Sequence, residues 1–177
     1  MTLIQPTDVL VAAPRLRDPR FRGSVLLMLS SSVSSGSVAL CLNKPQDLTT
    51  DDLDEFDTPG PRMCHDIHWG GPVSPESIWL LHNDAWRSDN TLAVGPGVRV
   101  SSDPAMIEEI TQGRGPAEFR LMSGFTSWAP GQLEQELAQN WLVMPNPGLD
   151  WILDQPVDML WQRATEQCVQ VTVDSWL

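Results

Sequence analysis

Short apolar runs separated by polar turns dominate the first part of the chain. Aliphatic and β-branched residues fill positions 9–13, 24–29 and 37–42 with little polar alternation. Runs of this length and composition predict three strands, and their continuous apolarity predicts cover on both faces. The last two runs lie close enough in sequence to form an antiparallel hairpin around Gly36.

The middle of the chain continues the same pattern of short elements. Further strands are predicted at 67–69, 77–82, 98–101 and 117–123. The first two of these lie on either side of a tight Gly-Gly-Pro turn at 70–72. The acidic segment 47–62 predicts a surface excursion with one helical turn, capped by Thr49 or Thr50.

Helical signals begin after residue 100. Ser101 or Ser102 as N-cap, Pro104 in the first turn and Gly113 just past the end predict a helix over 104–112. A second helix is predicted to open at Pro130, since apolar residues then recur on one face at Leu133, Leu137 and Trp141.

A third helix is predicted near the end of the chain. It starts at Asp154 or Pro156, and its apolar side is formed by Val157, Leu160, Trp161, Ala164 and Cys168. The alternating segment 169–173 predicts a final strand. Strands interleaved irregularly with about three helices favour an α+β fold, because a regular βαβ winding needs a helix between most strands. With 177 residues, the chain (1–177) is expected to form one domain.

The charge of the chain limits its partners. A formal net charge of −12 repels polyanions, so direct DNA binding would have to rest on a local basic patch. The one candidate patch is a loop that contains Arg15, Arg17, Arg20 and Arg22. Either these arginines pair with the chain's own carboxylates on a solvated loop, or they contact a phosphate or an acidic partner.

Three widely spaced cysteines argue against a disulfide framework and favour a reducing compartment. The N-terminal segment lacks a basic region followed by a sustained apolar run, and no later run is long enough to span a membrane. A cytoplasmic protein without membrane contact is therefore expected.

Candidate chemistry is sparse. Cys64, His65 and His68 are crowded in a way that suits a zinc site poorly, so neither a metal nor another cofactor is expected. His82, at a strand end, would need a neighbouring Ser or Asp to act in nucleophilic catalysis. Gly70 and Gly71 suit a turn better than an anion-binding loop, because no helix follows them.

Two side chains of the second helix are placed to act together. Gln132 and Glu136 are four residues apart and share a helix face. Glu134 and Glu136 are two residues apart and point in different directions, so they do not form an acid/base pair.

Three blocks of sequence resemble the YqgE/AlgH family, also called DUF179 or UPF0301. They are LVAAPRLRDPRFRGSVLLML with GSVALCLNKP, then WGGPVSPESIWLLH, then SGFTSWAPGQLEQELAQNWLVMP. The resemblance implies a single α+β domain with a mainly antiparallel, bifurcated or barrel-like sheet and helices outside. Some family members carry the label of transcriptional regulator.

These features favour a non-enzymatic binding or regulatory protein, with a transcriptional regulator and a small-molecule hydrolase as alternatives. The family blocks place their unusual residues at element ends, so we expect them to converge on one groove that binds a protein partner or a small anionic ligand. Trp128 would form an apolar wall, although burial alone also explains it. The candidate groove residues are Arg15, Arg17, Arg20, Arg22, Asn43, Lys44, Gly70, Gly71, His82, Trp128, Gln132 and Glu136.

Overall fold

The computed structural model describes residues 3–53 and 59–174. The strands are β1 (Val9–Ala12), β2 (Val25–Ser32), β3 (Gly36–Cys41), β4 (Ile67–Trp69), β5 (Val73–His82), β6 (Leu92–Gly95), β7 (Val98–Ser101), β8 (Phe119–Trp128) and β9 (Trp141–Met144). The α-helices in the described residues are α1 (Pro104–Thr111), α2 (Gln132–Asn140), α3 (Leu149–Asp154) and α4 (Leu160–Asp174), and the predicted helical turn is a 3-10 helix at Thr50–Asp52 with Thr49 as its N-cap. None of them is long and apolar enough to cross a membrane.

The nine strands form one sheet that branches at β8. Along the main path the strand order is β6-β7-β5-β8-β3-β2-β1-β9, and the two ends of this path do not pair with each other. The first half of β8 pairs in parallel with β4, whereas its second half pairs antiparallel with β3. The other strand pairs are antiparallel, so the fold is α+β with an open, bifurcated sheet.

The predicted hairpin between β2 and β3 is confirmed. Ser32 lies opposite Gly36 at its turn, and Leu27 lies opposite Leu40 further along. The first four residues of β2 are fully buried, as continuous apolarity predicted. Gly36 has a φ of 95°, and a Cβ at this position would overlap the carbonyl oxygen of Trp128.

Helix α1 lies where the sequence predicts it, but its cap differs. The N-cap is Asp103, whose carboxylate accepts a hydrogen bond from the Met106 amide at 3.1 Å. Neither of the predicted caps, Ser101 and Ser102, is the N-cap of α1, because β7 continues through Ser101 and the helix starts later. Strand β7 thus leads into α1, which packs in one hydrophobic cluster with Ile67, Leu80 and Leu121.

Helix α2 begins and ends inside the predicted range. It starts at Gln132, and Trp141 is already the first residue of β9, so the predicted helical stripe is wrong at its third position. Leu133 and Trp141 nevertheless pack in the same hydrophobic cluster, with Leu137 against it. Short β9 and β6 were not predicted, since four residues give too little periodicity to separate strand from loop.

The C-terminal strand predicted at 169–173 is wrong. Helix α4 continues to Asp174, although its valines at 169, 171 and 173 favour a strand by composition and alternate with polar residues. The buried positions Leu160 and Ala164, followed by the partly buried Cys168, keep helical spacing against the main core. Packing of this face therefore outweighs local propensity, and the three valines are left more than half exposed.

Candidate functional site

A groove of about 210 Å³ lies where the loop between β1 and β2, the Gly-Gly-Pro turn, the end of β8 and helix α2 meet. It is lined by Leu16, Asp18, Arg20, Phe21, Pro72, Thr126, Ser127, Trp128, Gln132, Glu136, Asn140 and Trp141. We call this space the β8–α2 groove. Segments more than 100 residues apart in sequence contribute to it.

Aromatic rings form the inner wall of the β8–α2 groove. The ring centroids of Trp128 and Trp141 are 6.2 Å apart and the rings are nearly perpendicular, at 85°. Phe21 packs edge-on against Trp141 at 6.1 Å and lies 5.6 Å from Trp69. Trp128 and Trp141 are buried, so each indole N–H needs a hydrogen-bond acceptor within the protein.

Glu136 supplies that acceptor for both indoles. Its Oε2 accepts a hydrogen bond from Trp128 Nε1 at 3.1 Å and another from Trp141 Nε1 at 3.4 Å. Its Oε1 accepts a hydrogen bond from Gln132 Nε2 at 3.0 Å. One carboxylate on α2 therefore fixes two rings from β8 and β9, and Gln132 and Glu136 act together as their spacing predicts.

The start of α2 is fixed by the same glutamine. Gln132 Oε1 accepts a hydrogen bond from the Ala129 backbone amide at 3.0 Å. Because its amide group bridges Ala129 to Glu136, Gln132 joins the turn before α2 to the aromatic wall. This part of the groove is arranged before any ligand binds, which lowers the entropic cost of binding.

Two arginines of the loop are held by the protein itself. The Arg15 guanidinium donates to the carbonyl oxygens of Gln139 at 2.6 Å and Ala138 at 2.7 Å, at the C-terminal end of α2. Arg20 pairs with Asp18 at 2.8 Å, and the hydrogen bond from Arg20 is the main cause that lowers the pKa of the Asp18 carboxyl. Arg17 is exposed elsewhere in this loop.

Asn43 and Lys44 support the loop from the side. Asn43 Oδ1 accepts from the Val25 amide, and its Nδ2 donates to the Gly23 carbonyl, both at 2.8 Å. The Lys44 ammonium donates to the carbonyl oxygen of Arg22, whose own side chain is exposed. Neither Asn43 nor Lys44 lines the β8–α2 groove, so their contacts fix the position of the loop.

The Gly-Gly-Pro turn is packed tightly against β8. The Gly70 amide donates to the Ser123 carbonyl at 2.7 Å, and the Gly70 carbonyl accepts from the Cys41 amide at 2.8 Å. Gly71 has a φ of 152°, and a Cβ there would overlap the Phe125 backbone. The Gly70 amide is thus not available to an anion, whereas Pro72 of the same turn lines the groove.

His82 lies away from the β8–α2 groove, at the opposite end of β5 from the Gly-Gly-Pro turn. The ring is fully buried, with Nε2 at 2.8 Å from Ser101 Oγ and Nδ1 at 2.6 Å from the Asn83 carbonyl oxygen. Trp86 packs edge-on against it at 5.0 Å. Burial is the main cause that lowers the pKa of His82.

The pair of His82 and Ser101 bears on the hydrolase alternative. That alternative needs a histidine beside a serine and a cleft through which a substrate can reach them. The first condition is met, but Ser101 is only 1% exposed and His82 is 0% exposed. In this conformation the pair is therefore a buried hydrogen-bonded contact between β5 and β7.

Four of the predicted site residues line the groove, namely Arg20, Trp128, Gln132 and Glu136. Sequence reasoning missed Phe21 and Trp141 as groove residues. Phe21 lies between Arg20 and Arg22, two predicted groove residues, so its sequence position could have identified it. Trp141 was instead assigned to the core face of a helix. Asp18 was also missed, because its sequence position does not reveal that it pairs with Arg20.

Outside the β8–α2 groove, the described residues contain a larger cavity but no metal-binding cluster. Among the described residues no group of three or more His, Cys, Asp or Glu side chains could hold a metal ion. A cavity of about 560 Å³ lies between α1 and β5, and Asp103 on its wall is engaged as the α1 cap and in a 2.5 Å hydrogen bond from Ser88. The β8–α2 groove has the denser set of converging polar and aromatic groups.

Comparisons with known proteins agree with the fold. The chain is 31% identical over 169 residues to a UPF0301 protein of Anaeromyxobacter dehalogenans. The aligned region covers 89% of this chain and 85% of the relative. A UPF0301 protein of Stenotrophomonas maltophilia is 31% identical over 173 residues, covering 93% of this chain and 91% of the relative.

Two solved structures are similar over nearly the whole chain. The solution structure of the AlgH protein from Pseudomonas aeruginosa has a TM-score of 0.76 and 27% identity, covering 94% of this chain and 92% of that one. A crystal structure of a Corynebacterium diphtheriae protein has a TM-score of 0.73 and 26% identity, covering 94% and 88%. The model of the AlgH-like family DUF179 matches residues 9–171. The chain therefore belongs to the AlgH-like DUF179 family.

Proposed function

We propose that this chain is a non-enzymatic binding protein that holds an exposed segment of a partner protein in the β8–α2 groove. The observation that carries the proposal is the hydrogen-bonded arrangement of Trp128, Trp141 and Glu136. The two buried indoles form a fixed floor under a concave site, and the half-buried Phe21 ring and the polar side chains line it, a combination typical of recognition sites.

The volume of the groove limits what it can hold. About 210 Å³ is less than the roughly 300 Å³ at the lower end for small-molecule sites. A space of this size suits one side chain and its neighbouring backbone. The proposal is therefore an anchor pocket for one residue of a partner segment.

The charges around the groove favour a basic anchor residue. Its lining contains the carboxylates of Asp18 and Glu136 against the one guanidinium of Arg20. The whole chain has a formal net charge of −12, and the resulting field attracts a cation and repels an anion. A lysine or arginine side chain can also pack its stem and charge against aromatic rings.

The same contacts weigh against a small anionic ligand. Arg15 is engaged at the end of α2, Arg20 with Asp18, and Lys44 with the Arg22 carbonyl. These cations would have to leave their present partners to bind an anion. A cationic anchor residue needs no such rearrangement, because a carboxylate has about four acceptor positions and Asp18 and Glu136 each use three of them.

A selection from a random peptide library tests the proposal. We expect peptides enriched in lysine or arginine, with affinities that weaken as salt rises. Ser127→Trp should block binding, because Ser127 is an exposed residue of the groove lining. Gln170→Trp, on the exposed part of α4, is the matched control and should bind the peptides like the unmodified protein.

Two results would refute the proposal. One is enrichment of acidic or uncharged peptides, which would reverse the expected charge preference. The other is equal loss or equal retention of binding in Ser127→Trp and Gln170→Trp at matched folded fractions. Isothermal titration calorimetry of the best peptide against all three proteins distinguishes these outcomes.

A further inference from the structure

Arg120 is a buried cation that has no carboxylate partner in the described residues. It lies on β8, it is 7% exposed, and its Nη1 donates to the Leu42 carbonyl oxygen at 3.2 Å. The ion pairs found in the described part of the chain join Asp18 to Arg20 and Glu109 to Arg114. Burial alone lowers the pKa of Arg120.

A second uncompensated polar group lies on the same face of the sheet as Arg120. His68 on β4 is opposite Met122, which is two residues from Arg120 on β8, so the two side chains leave the same face of the sheet. The Nδ1 atom of His68 is buried and has no hydrogen-bond partner among residues 3–53 and 59–174. The pKa of His68 is lowered mainly by burial and further by the charge of Arg120.

Each of these two defects is costly, and they lie on one face of the sheet, close enough that the charge of Arg120 acts on His68. A buried charge without a counterion and a buried nitrogen without a partner are both unfavourable, and native proteins rarely keep either. Here both occur where the sheet branches, between the end of β3 and β4. No hydrogen bond joins Arg120 to His68 in the described residues, so a third group that accepts hydrogen bonds from both would satisfy them together.

We propose that Arg120 and His68 form a binding site for one small carboxylate at the branch of the sheet. The planar guanidinium offers two parallel N–H donors that match the two oxygens of a carboxylate. His68, in the tautomer with Nδ1–H, supplies a further donor. The next residue, Trp69, packs on the other face, in the cluster behind the β8–α2 groove, so the two sites are separate.

Thermal unfolding with acetate as the probe tests the proposal. Replacing chloride by acetate at constant ionic strength should raise the Tm of the unmodified protein by about 3 °C or more at saturation. Arg120→Met should lose this increment. Without acetate it should be as stable as the unmodified protein or more stable, since apolar groups often replace a buried unpaired charge without loss.

Two controls separate the site from a general salt effect. Arg99→Lys should keep the acetate response, because the Arg99 guanidinium is occupied by the Gly95 and Val98 carbonyl oxygens. Inorganic phosphate in place of acetate asks whether the site prefers a tetrahedral oxyanion. An equal acetate response in the unmodified protein and Arg120→Met would overturn the proposal. So would a larger response to phosphate than to acetate, or a high-resolution structure in acetate with only water between Arg120 and His68.

Discussion

Glu136 shows how one side chain organises the candidate site. Its carboxylate accepts three hydrogen bonds, two of them from indole nitrogens of buried tryptophans. A buried donor without an acceptor loses its hydration without compensation. The residue is therefore as important for the shape of the groove as for its charge.

Glu136→Gln should destabilise the protein by about 1–3 kcal/mol, because its single amide oxygen replaces only one of the two carboxylate oxygens, so either the two indoles or Gln132 lose their acceptor. Urea unfolding followed by tryptophan fluorescence measures the change. Glu134→Gln is the matched control, because Glu134 lies on the same helix outside the groove lining, and it should change stability by less than about 0.5 kcal/mol. Equal effects of the two substitutions would contradict this role of Glu136.

The buried His82 makes the stability of the folded protein depend on pH. Burial lowers the pKa of His82 in the folded protein, whereas the unfolded chain has the ordinary value of about 6.5. Below that pH the unfolded chain binds a proton that the folded protein does not, so stability falls as pH falls. Above about pH 6.5 this residue contributes no pH dependence.

His82→Gln should therefore reduce the loss of unfolding free energy between pH 7 and pH 5.5, measured by urea titration at each pH. Some dependence should remain, because burial also lowers the pKa of His68. A variant with the full pH dependence of the unmodified protein would show that His82 is protonated equally well in the folded state.

At the scale of elements, the branch of the sheet depends on close approach of three strands. Gly70 precedes β5, and a Cβ there would overlap the carbonyl oxygen of Gly124 in β8. A Cβ at Gly124 would in turn overlap the carbonyl oxygen of Gly71. Backbone contact replaces side-chain contact here, which explains why this turn contains consecutive glycines.

Gly70→Ala should destabilise the protein severely, by about 3 kcal/mol or more, because the strands must separate to admit the methyl group. Gly97→Ala is the control. Gly97 has a φ of 71° but nothing within 4 Å of an added Cβ, so its cost is backbone strain of about 1–2 kcal/mol. Thermal unfolding compares them, and a smaller effect at Gly70 than at Gly97 would exclude steric overlap as the cause.

The elements that sequence reasoning predicted share one property, which is that local signals and tertiary packing agree. In the hairpin of β2 and β3 both levels favour strands, and α1 combines Pro104 with helical periodicity. At 169–173 they conflict, since valine favours a strand while Ala164 and Cys168 keep the segment helical. Local sequence carries no signal for such long-range packing.

The same limit applies to the site. The sequence identified Trp128, Gln132 and Glu136, because motif blocks and helix spacing mark them. It could not place Trp141 beside Trp128, or His82 away from the groove, since both depend on which strands become neighbours. Side-chain pairings across the sheet are set by the whole molecule.

At the scale of the whole molecule, charge decides which partners can approach. The chain carries 23 acidic and 11 basic residues, and a duplex is approached through its phosphates. The one basic loop cannot present a continuous cationic face, because Arg15 is bound to the end of α2 and Arg20 to Asp18. The long-range charge repulsion and the local pairing of the loop arginines therefore both weaken binding to DNA.

We expect no sequence-specific duplex DNA binding at physiological salt, where even non-specific DNA-binding proteins typically reach dissociation constants of about 10⁻⁴ to 10⁻⁶ M. Fluorescence anisotropy with a labelled duplex, titrated at low and at physiological salt, measures this. Any weak binding at low salt should disappear steeply as salt rises, because few phosphates can be contacted at once. Asp18→Asn, which frees Arg20, should strengthen that low-salt binding if the loop is the contact. Nanomolar binding that distinguishes one duplex sequence from another at physiological salt would instead establish the transcriptional-regulator alternative.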